Sequence, residues 1–93
     1  MGHKFLVHVK EDHVGVAVED IRGGEAVQGV CLADESTVTV MAGQDIPLGH
    51  KIALTSLTKG AVVKEYCESI GKAMATIKPG EHVHVHNLKS ARW

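Results

Sequence analysis

The chain is poor in aromatic residues, because Phe5, Tyr66 and Trp93 are the only three among its 93 residues. Any core must therefore consist mainly of valine, isoleucine, leucine and alanine. The hydrophobic fraction of 44% is ordinary for a globular protein and argues against disorder. No linker or low-complexity segment divides the chain, so we expect a single domain over residues 1–93.

The chain also lacks an excess of charge of either sign. Ten Lys and Arg stand against eleven Asp and Glu, which excludes nucleic acid and anionic membrane as the expected partners. The longest apolar run is far shorter than the roughly 18 residues of a membrane span, and the charged N-terminus lacks the apolar region of a signal peptide. Cys31 and Cys67 show no C-x-x-C pairing. We expect both to be reduced, with Cys31 buried, in a cytoplasmic protein.

Short valine-rich runs, separated by glycines and turn residues, make up most of the sequence. Alternation of β-branched and polar residues in such runs predicts short strands. The runs are KFLVHV, HVGVAVE, AVQGVCL, STVTVMA, HKIALTSL, AVVKEY, MATI and HVHVHNL. The stretch KEYCESIGKAMA has no helical stripe and contains Gly71, so it predicts a short turn. The expected fold class is all-β, with many short strands and at most one short helical turn.

A weak internal repetition accompanies these runs. The segments EDIRGGEAVQGV, TSLTKGAVVKEY and ATIKPGEHVHVH each have an apolar residue, polar residues, a glycine and then a valine-bearing strand. The pattern predicts one strand–turn–strand corner used three times. It is too short for a solenoid, whose units have about 20 residues or more.

Histidine is unusually frequent, and three of the seven alternate with valine in GEHVHVHNLK. On a strand His82, His84 and His86 would share one face, with Val83 and Val85 packed behind them. His82 and His86 would then be roughly 13 Å apart, whereas a ligand nitrogen lies about 2 Å from its metal. One ion could therefore bind only one or two of them. A solvated strand edge explains the same pattern, and both interpretations stay open.

A second polar cluster lies in QDIPLGHKIAL. Pro47 restricts the backbone, and Gly49 permits an unusual backbone angle immediately before His50 and Lys51. A histidine and a lysine at such a turn could bind a carboxylate or a sulfonate. The alternative is an exposed hairpin whose lysine is merely solvated. The sequence shows no Ser/His/Asp arrangement, phosphate-binding glycine motif or obvious pair of acid/base carboxylates.

Three segments, DIPLGHKIAL, IGKAMATIKPGEHVHVHN and the closing KSARW, resemble the altronate and galactarate dehydratase family. The likeness covers nearly the whole chain and is to the family's small subunit or N-terminal SAF-type domain. It implies a compact, SAF-like β-clip fold. The opening HKFLVHVKEDHVGVAVEDIRGGE favours the branch that acts on sulfolactate. One departure is KEYCESIG, in which Glu65 and Cys67 flank Tyr66 where the family usually has Lys and Gly.

The resemblance implies a lyase subunit that is active only with a larger catalytic subunit. Such enzymes remove the C2 proton of a small anionic 2-hydroxy acid and expel a group from C3. In the sulfo-lyase branch (2R)-sulfolactate would give sulfite and pyruvate, and in the dehydratase branch a sugar acid would lose water. A divalent metal, iron(II), is implied as a cofactor shared with the large subunit.

The same resemblance assigns roles to five residues. His84 and His86 are expected to be catalytic residues and metal ligands, whereas His50, Lys51 and Asn87 are expected to bind substrate. His82 is left out, since a straight strand places it furthest from the strand end. The alternative to a lyase is a non-catalytic binding or assembly module, and either kind of chain could oligomerise.

Overall fold

The computed structural model describes residues 3–65, 68–84 and 86–90, and within these the regular secondary structure is entirely β-strand. The strands are β1 (Phe5–Val7), β2 (Val14–Ala17), β3 (Ala26–Cys31), β4 (Thr37–Met41), β5 (Lys51–Ala53), β6 (Val62–Glu65), β7 (Glu68–Ala73), β8 (His82–Val83) and β9 (Leu88–Ser90). The predicted all-β class, with its SAF-like arrangement of many short strands, is confirmed. No described segment is a helix with the length and apolar character needed to cross a membrane.

The strands of the described residues form two sheets. The larger has the order β4-β3-β1-β2-β5-β8, in which β1 and β3 are parallel and the other pairs antiparallel. The smaller is antiparallel, with the order β6-β7-β9. The larger sheet curls, so that Gly43 N, just after β4, donates a 2.9 Å hydrogen bond to Gly80 O, just before β8. The curl brings the two edges of this sheet together.

Two local predictions are wrong. The run MATI contains no strand, and its Ile77 forms only an isolated bridge with Leu57. The stretch KEYCESIGKAMA contains β7 rather than a turn, because β6 and β9 hydrogen-bond to its two sides. A Cβ on Gly71 would collide with the backbone oxygen of Lys89, so glycine here permits the close approach of β9. Tyr66 and Cys67, the other part of this stretch, lie outside the described residues.

The predicted corner occurs four times in the described residues, not three. Each copy follows the pattern Ala-x-x-x-(Ile/Leu)-x-x-Gly, and the copies are corner 1 (17–24), corner 2 (42–49), corner 3 (53–60) and corner 4 (73–80). The closing glycines are Gly24 (φ +93°), Gly49 (+87°), Gly60 (+88°) and Gly80 (+89°). Each occupies the third position of a turn closed by a backbone hydrogen bond of 2.9–3.2 Å, as in a type II turn, which requires a positive φ there.

The corners associate in pairs. In the pair of corners 1 and 2, Ile21 and Ile46 exchange backbone hydrogen bonds of 2.9 and 2.8 Å. Gly24 N donates to Ala42 O, and Gly49 N donates to Ala17 O, at 2.7 and 2.8 Å. Corners 3 and 4 repeat these bonds at Leu57, Ile77, Gly60, Ala73, Gly80 and Ala53. The four alanines and the four bridging residues are all buried.

Each corner pair has its own hydrophobic cluster. The first contains Phe5, Val7, Ala17, Ile21, Val27, Cys31, Val40, Ala42, Ile46 and Ile52. The second contains Val14, Ala53, Leu57, Val63, Ala73, Ile77 and Val83. The predicted aliphatic core is therefore confirmed, with Phe5 as the one aromatic residue in the described clusters. Cys31 is a buried free thiol, as expected.

Candidate histidine site

The residue after the corner glycine has a structural role in two corners. In corner 1 it is Glu25, whose Oε1 accepts a 3.0 Å hydrogen bond from the backbone N of Arg22. In corner 4 it is Glu81, whose Oε1 accepts a 2.8 Å hydrogen bond from the backbone N of Lys78. Each glutamate therefore caps the turn of its own corner. The hydrogen bond from Arg22 also lowers the pKa of Glu25 below its ordinary value of 4.5.

Corner 2 differs at both positions. Pro47 stands where Arg22 and Lys78 stand in corners 1 and 4, and proline has no N–H to be capped. The residue after Gly49 is His50, whose backbone is held by hydrogen bonds to Pro47 O and from Ala17 N, at 3.0 and 2.8 Å. Its side chain is therefore not needed as a cap.

The histidine row is not a continuous strand, which corrects the prediction. The strand β8 ends at Val83, and the chain then turns, with the backbone N of both Asn87 and Leu88 donating to His84 O at 3.0 and 2.9 Å. Asn87 explains the turn: its Oδ1 accepts from His84 N at 2.9 Å, and its Nδ2 donates to His82 O at 2.7 Å. Such side-chain bonds replace the hydrogen bonds of a strand ladder. Val85, predicted to pack in the core, lies outside the described residues.

The turn brings four imidazoles together. The ring centroids of His82 and His86 are 5.1 Å apart, instead of the roughly 13 Å of a straight strand. His50 Nδ1 lies 2.8 Å from His82 Nε2, so the two rings share a hydrogen bond whose donor depends on the tautomer. His50 also stacks on His84, with centroids 4.1 Å apart. Two segments separated by 32 residues thus build one histidine cluster (His50, His82, His84 and His86).

Three of these rings are close enough to bind one ion. The candidate ligand nitrogens of His50, His82 and His84 all lie within 4.8 Å of one another. Nitrogens bound to one ion at about 2.1 Å lie about 3–4 Å apart, so small ring rotations suffice. Imidazole donors suit divalent iron, zinc and other first-row metals. The donor set therefore fits the implied metal. The histidine row was predicted to offer only one or two ligands to an ion, and His50 is the third candidate donor.

The electrostatics of the cluster favour neutral imidazole, the form that binds metal. Burial, followed by the neighbouring His50, His86 and His84, lowers the pKa of His82 below its ordinary value of 6.5. Desolvation and then His50, His86 and Lys51 lower the pKa of His84 in the same direction. Near neutral pH both rings are therefore ready to accept an ion.

All five predicted site residues lie in or beside this cluster. Lys51 opens β5, pairs with Val83 of β8 and is close enough to affect the pKa of His84. Both polar atoms of the Asn87 side chain are engaged in the turn. His82, which sequence reasoning left out, is the ring that hydrogen-bonds His50.

Sequence reasoning also missed Gln44. Its Oε1 accepts a 2.8 Å hydrogen bond from the backbone N of His82. The signal that could have found it is the corner repeat, because QDIPLGHK is a fourth copy of the pattern and joins Gln44 to His50 in one corner.

Two other histidines lie in a different region. His13 Nδ1 accepts a 3.0 Å hydrogen bond from the backbone N of Lys64. His8 Nε2 lies 3.6 Å from Glu65 Oε2, an ion pair when the imidazole is protonated. Glu65, one of the departures from the expected family pattern, therefore interacts with a histidine outside the cluster.

Comparison with known proteins agrees with this architecture. Residues 3–91 match the family model for the altronate/galactarate dehydratase SAF domain. The chain belongs to this family. It is similar to members that are separate subunits and to parts of longer enzymes.

Two of these relatives are matched over nearly their whole length. Over 94 residues the chain is 38% identical to the (2R)-sulfolactate sulfo-lyase subunit alpha of Chromohalobacter salexigens, with both chains fully covered. Over 64 residues it is 45% identical to the subunit of the same name from Paracoccus pantotrophus, covering 69% of this chain and 96% of that one. The predicted kinship with the sulfo-lyase branch is confirmed.

Another relative is much longer. The altronate dehydratase of Escherichia coli K12 is 44% identical over 79 residues, which cover 85% of this chain but only 15% of that enzyme. The SAF domain is thus also found as a small part of a larger protein.

Proposed function

We propose that the chain is the small subunit of a two-subunit carbon–sulfur lyase that eliminates sulfite from (2R)-3-sulfolactate. The observation that carries this proposal is the coverage of relatives named as alpha subunits of sulfolactate sulfo-lyase, 100% and 96% of their own lengths. The chain matches only 15% of the Escherichia coli altronate dehydratase, which makes a complete dehydratase the weaker candidate.

In the proposed site His50, His82 and His84 would hold one divalent ion, iron(II). The support is the mutual distance of their ligand nitrogens, within 4.8 Å, together with the lowered pKa values of His82 and His84. When bound, the ion supplies positive charge next to the carboxylate and 2-hydroxyl of the substrate. Three imidazoles leave coordination positions open for those oxygens.

The remaining residues act on the substrate itself. Lys51 binds the sulfonate or the carboxylate as a point charge. His86 is the candidate proton carrier, because its ring stands 5.1 Å from His82 but outside the group of three ligands. Asn87, predicted as a substrate ligand, acts in this proposal through the shape of the turn.

The reaction needs strong charge stabilisation, because the C2 proton is only weakly acidic. As that proton leaves, the C2–H electron pair forms a C2=C3 double bond. The C3–S bond breaks, and its electron pair departs with sulfite. The resulting enol takes up a proton at C3 and loses the proton of its C2 hydroxyl group to become pyruvate. The atoms and charges balance without an added oxidant or reductant.

A larger subunit completes the site. His84 and His86 are exposed, so the small chain does not exclude water from its own histidines. A second chain that covers them would raise the strength of each electrostatic contact. The alpha in the relatives' names supports such a partner.

The test is product analysis on the reconstituted complex. The chain and its larger partner, purified separately, should release sulfite and pyruvate in equal amounts from (2R)-sulfolactate only when mixed. Chelation should abolish release, and added Fe²⁺ should restore it. Altronate should be offered in parallel, because turnover of altronate alone would identify a sugar-acid dehydratase. Assembly without turnover of either compound would identify a non-catalytic module.

A further inference from the structure

Two side-chain amides hold the backbone of the histidine cluster. Gln44 Oε1 accepts from His82 N at 2.8 Å, and Asn87 Nδ2 donates to His82 O at 2.7 Å. Both backbone polar groups of His82 are therefore bonded to side chains. Asn87 Oδ1 also accepts from His84 N at 2.9 Å.

The backbone at this point needs such support. The strand β8 has only two residues, His82 and Val83, and pairs with β5 alone in the larger sheet. A pairing of only two residues holds the backbone weakly, because strand ends fray easily. The two amides hydrogen-bond the backbone of the same residue from both sides and so fix the point from which its ring projects.

Gln44 is not required by its own corner. The equivalent positions, two residues before the bridging Ile or Leu, are Glu19, Thr55 and Ala75 in the other corners. Four different residue types therefore occupy this position of the corner. The Gln44 side chain is exposed, so it does not contribute to the core either. What distinguishes corner 2 is that it supplies both Gln44, bonded to the His82 backbone, and His50, bonded to the His82 ring.

We propose that Gln44 and Asn87 are positioning residues that hold the His82 ring against His50 and thereby keep three imidazoles within reach of one ion. The metal-binding part of this inference rests on the proposed function. Its hydrogen-bonding part concerns the metal-free chain and stands apart from that function. Neither amide touches the ion; each acts through the backbone of a ligand.

Metal affinity of the full chain gives the first test, with Co²⁺ as the probe. Gln44→Ala and Asn87→Ala should weaken Co²⁺ binding about 10- to 100-fold, the usual effect of removing an outer-shell partner. Gln44→Glu keeps an acceptor oxygen and should restore most of the affinity. Asn87→Asp keeps the acceptor for His84 N but loses the donor to His82 O, so it should restore only part.

The matched control is Gln28→Ala, a change at an exposed glutamine in β3. It should leave Co²⁺ affinity unchanged, and its urea unfolding midpoint should match that of Gln44→Ala. Wild-type affinity in both Gln44→Ala and Asn87→Ala would overturn the positioning role while leaving the metal site intact. Wild-type Co²⁺ affinity in Asn87→Asp would show that the hydrogen bond to His82 O has no role.

Imidazole ¹⁵N NMR of the metal-free chain gives the second test. In the wild type, one N–H shared by His50 and His82 should give distinct ring-nitrogen shifts. In Gln44→Ala these should move toward those of free imidazole. If the wild-type chain binds no Co²⁺ but the shifts respond, the positioning role stands and the metal role fails. Unchanged His82 shifts in both alanine variants would overturn the positioning role whatever the metal result.

Discussion

Corners 1 and 2 have the same backbone turn and are hydrogen-bonded to each other, yet the residue after the glycine serves a different purpose in each. In corner 1, Glu25 caps the backbone N of Arg22. In corner 2, Pro47 offers no N–H, and His50 extends to His82 instead. A single proline removes the need for a cap and so leaves the His50 side chain available to the histidine cluster. The comparison separates a corner whose side chain maintains the turn from a corner whose side chain contributes to the histidine cluster.

The largest expected effect comes from His50→Ala. It should reduce Co²⁺ affinity of the chain and sulfite release by the complex by at least about 100-fold, because a ligand is lost rather than an outer partner. The urea midpoint should stay close to that of the wild type, since His50 does not cap its turn. His3→Ala, at an exposed histidine outside the cluster, is the matched control.

Glu25→Ala should show the reverse behaviour. It removes the cap of corner 1, so the unfolding free energy should fall while Co²⁺ affinity stays at the wild-type level. The comparison between corners would fail if His50→Ala retained full turnover, or if Glu25→Ala and His50→Ala changed stability equally.

The next effect concerns two corner glycines with the same backbone angle. Gly60→Ala should cost about 1–2 kcal/mol of unfolding free energy, the penalty of a left-handed conformation, because a Cβ there meets nothing within 4 Å. Gly80→Ala should cost about 3 kcal/mol or more, because its Cβ would also collide with Met41 O. Urea unfolding of the two variants measures the difference. Equal losses would show that the contact of corner 4 with β4 is unimportant.

A smaller effect is expected when corner 2 is rebuilt on the plan of corner 1. Pro47→Ala creates an N–H, and His50→Glu supplies a carboxylate to cap it. The free energy of unfolding of the double variant should be about 1 kcal/mol higher than the sum of the two single effects predicts, because one hydrogen bond is gained and has about this net value. The double variant should bind no Co²⁺ tightly. A double-mutant cycle in urea measures the coupling, and strict additivity would refute the role given to Pro47.

The smallest effects are those of pH on the metal-free chain. The folded-state pKa of His82 lies below its ordinary 6.5, so the folded chain binds fewer protons than the unfolded chain. Its contribution to stability is present above about pH 6.5 and is lost as the pH falls through the lowered pKa. The pKa of Glu25 lies below its ordinary 4.5, so its contribution is present above about pH 4.5 and is lost as the pH falls below that.

Substitutions should separate these two steps. His82→Asn should flatten the fall in urea midpoint between about pH 7.5 and pH 5.5, and Glu25→Gln should flatten the fall below about pH 4.5. An unchanged profile for His82→Asn in the upper range would show that this imidazole has the same pKa in the folded and unfolded chains.

A strand could be predicted where its own side chains alternate between apolar and polar. It could not be predicted where the strand depends on pairing with its neighbours. Alternation predicted Thr37–Met41 as a strand, and the structure has β4 there. The polar stretch Glu68–Ala73 gave no such signal, since its strand depends on pairing with β6 through an irregular register and with β9, which lies further along the chain. The run MATI was misread because its apolar residues fill a corner rather than a strand.

The candidate site divides in the same way. The glycine turn suggested His50 and Lys51 as a binding pair, and the family resemblance added His84, His86 and Asn87. Neither pointed to His82 or Gln44. Two-residue periodicity places His82 far from His86, but the turn held by Asn87 cancels that distance. Local spacing carries no information about a bond between residues 44 and 82.

By itself, the amino-acid sequence determined the all-β class, the aliphatic core and the repeated glycine corner, because each depends on neighbours within about eight residues. The tertiary structure alone decided which rings meet. The contact between His50 and His82 depends on the pairing of β5 with β8 and on two amides that redirect the backbone. Those interactions join distant segments, and only the folded chain brings them within hydrogen-bonding distance.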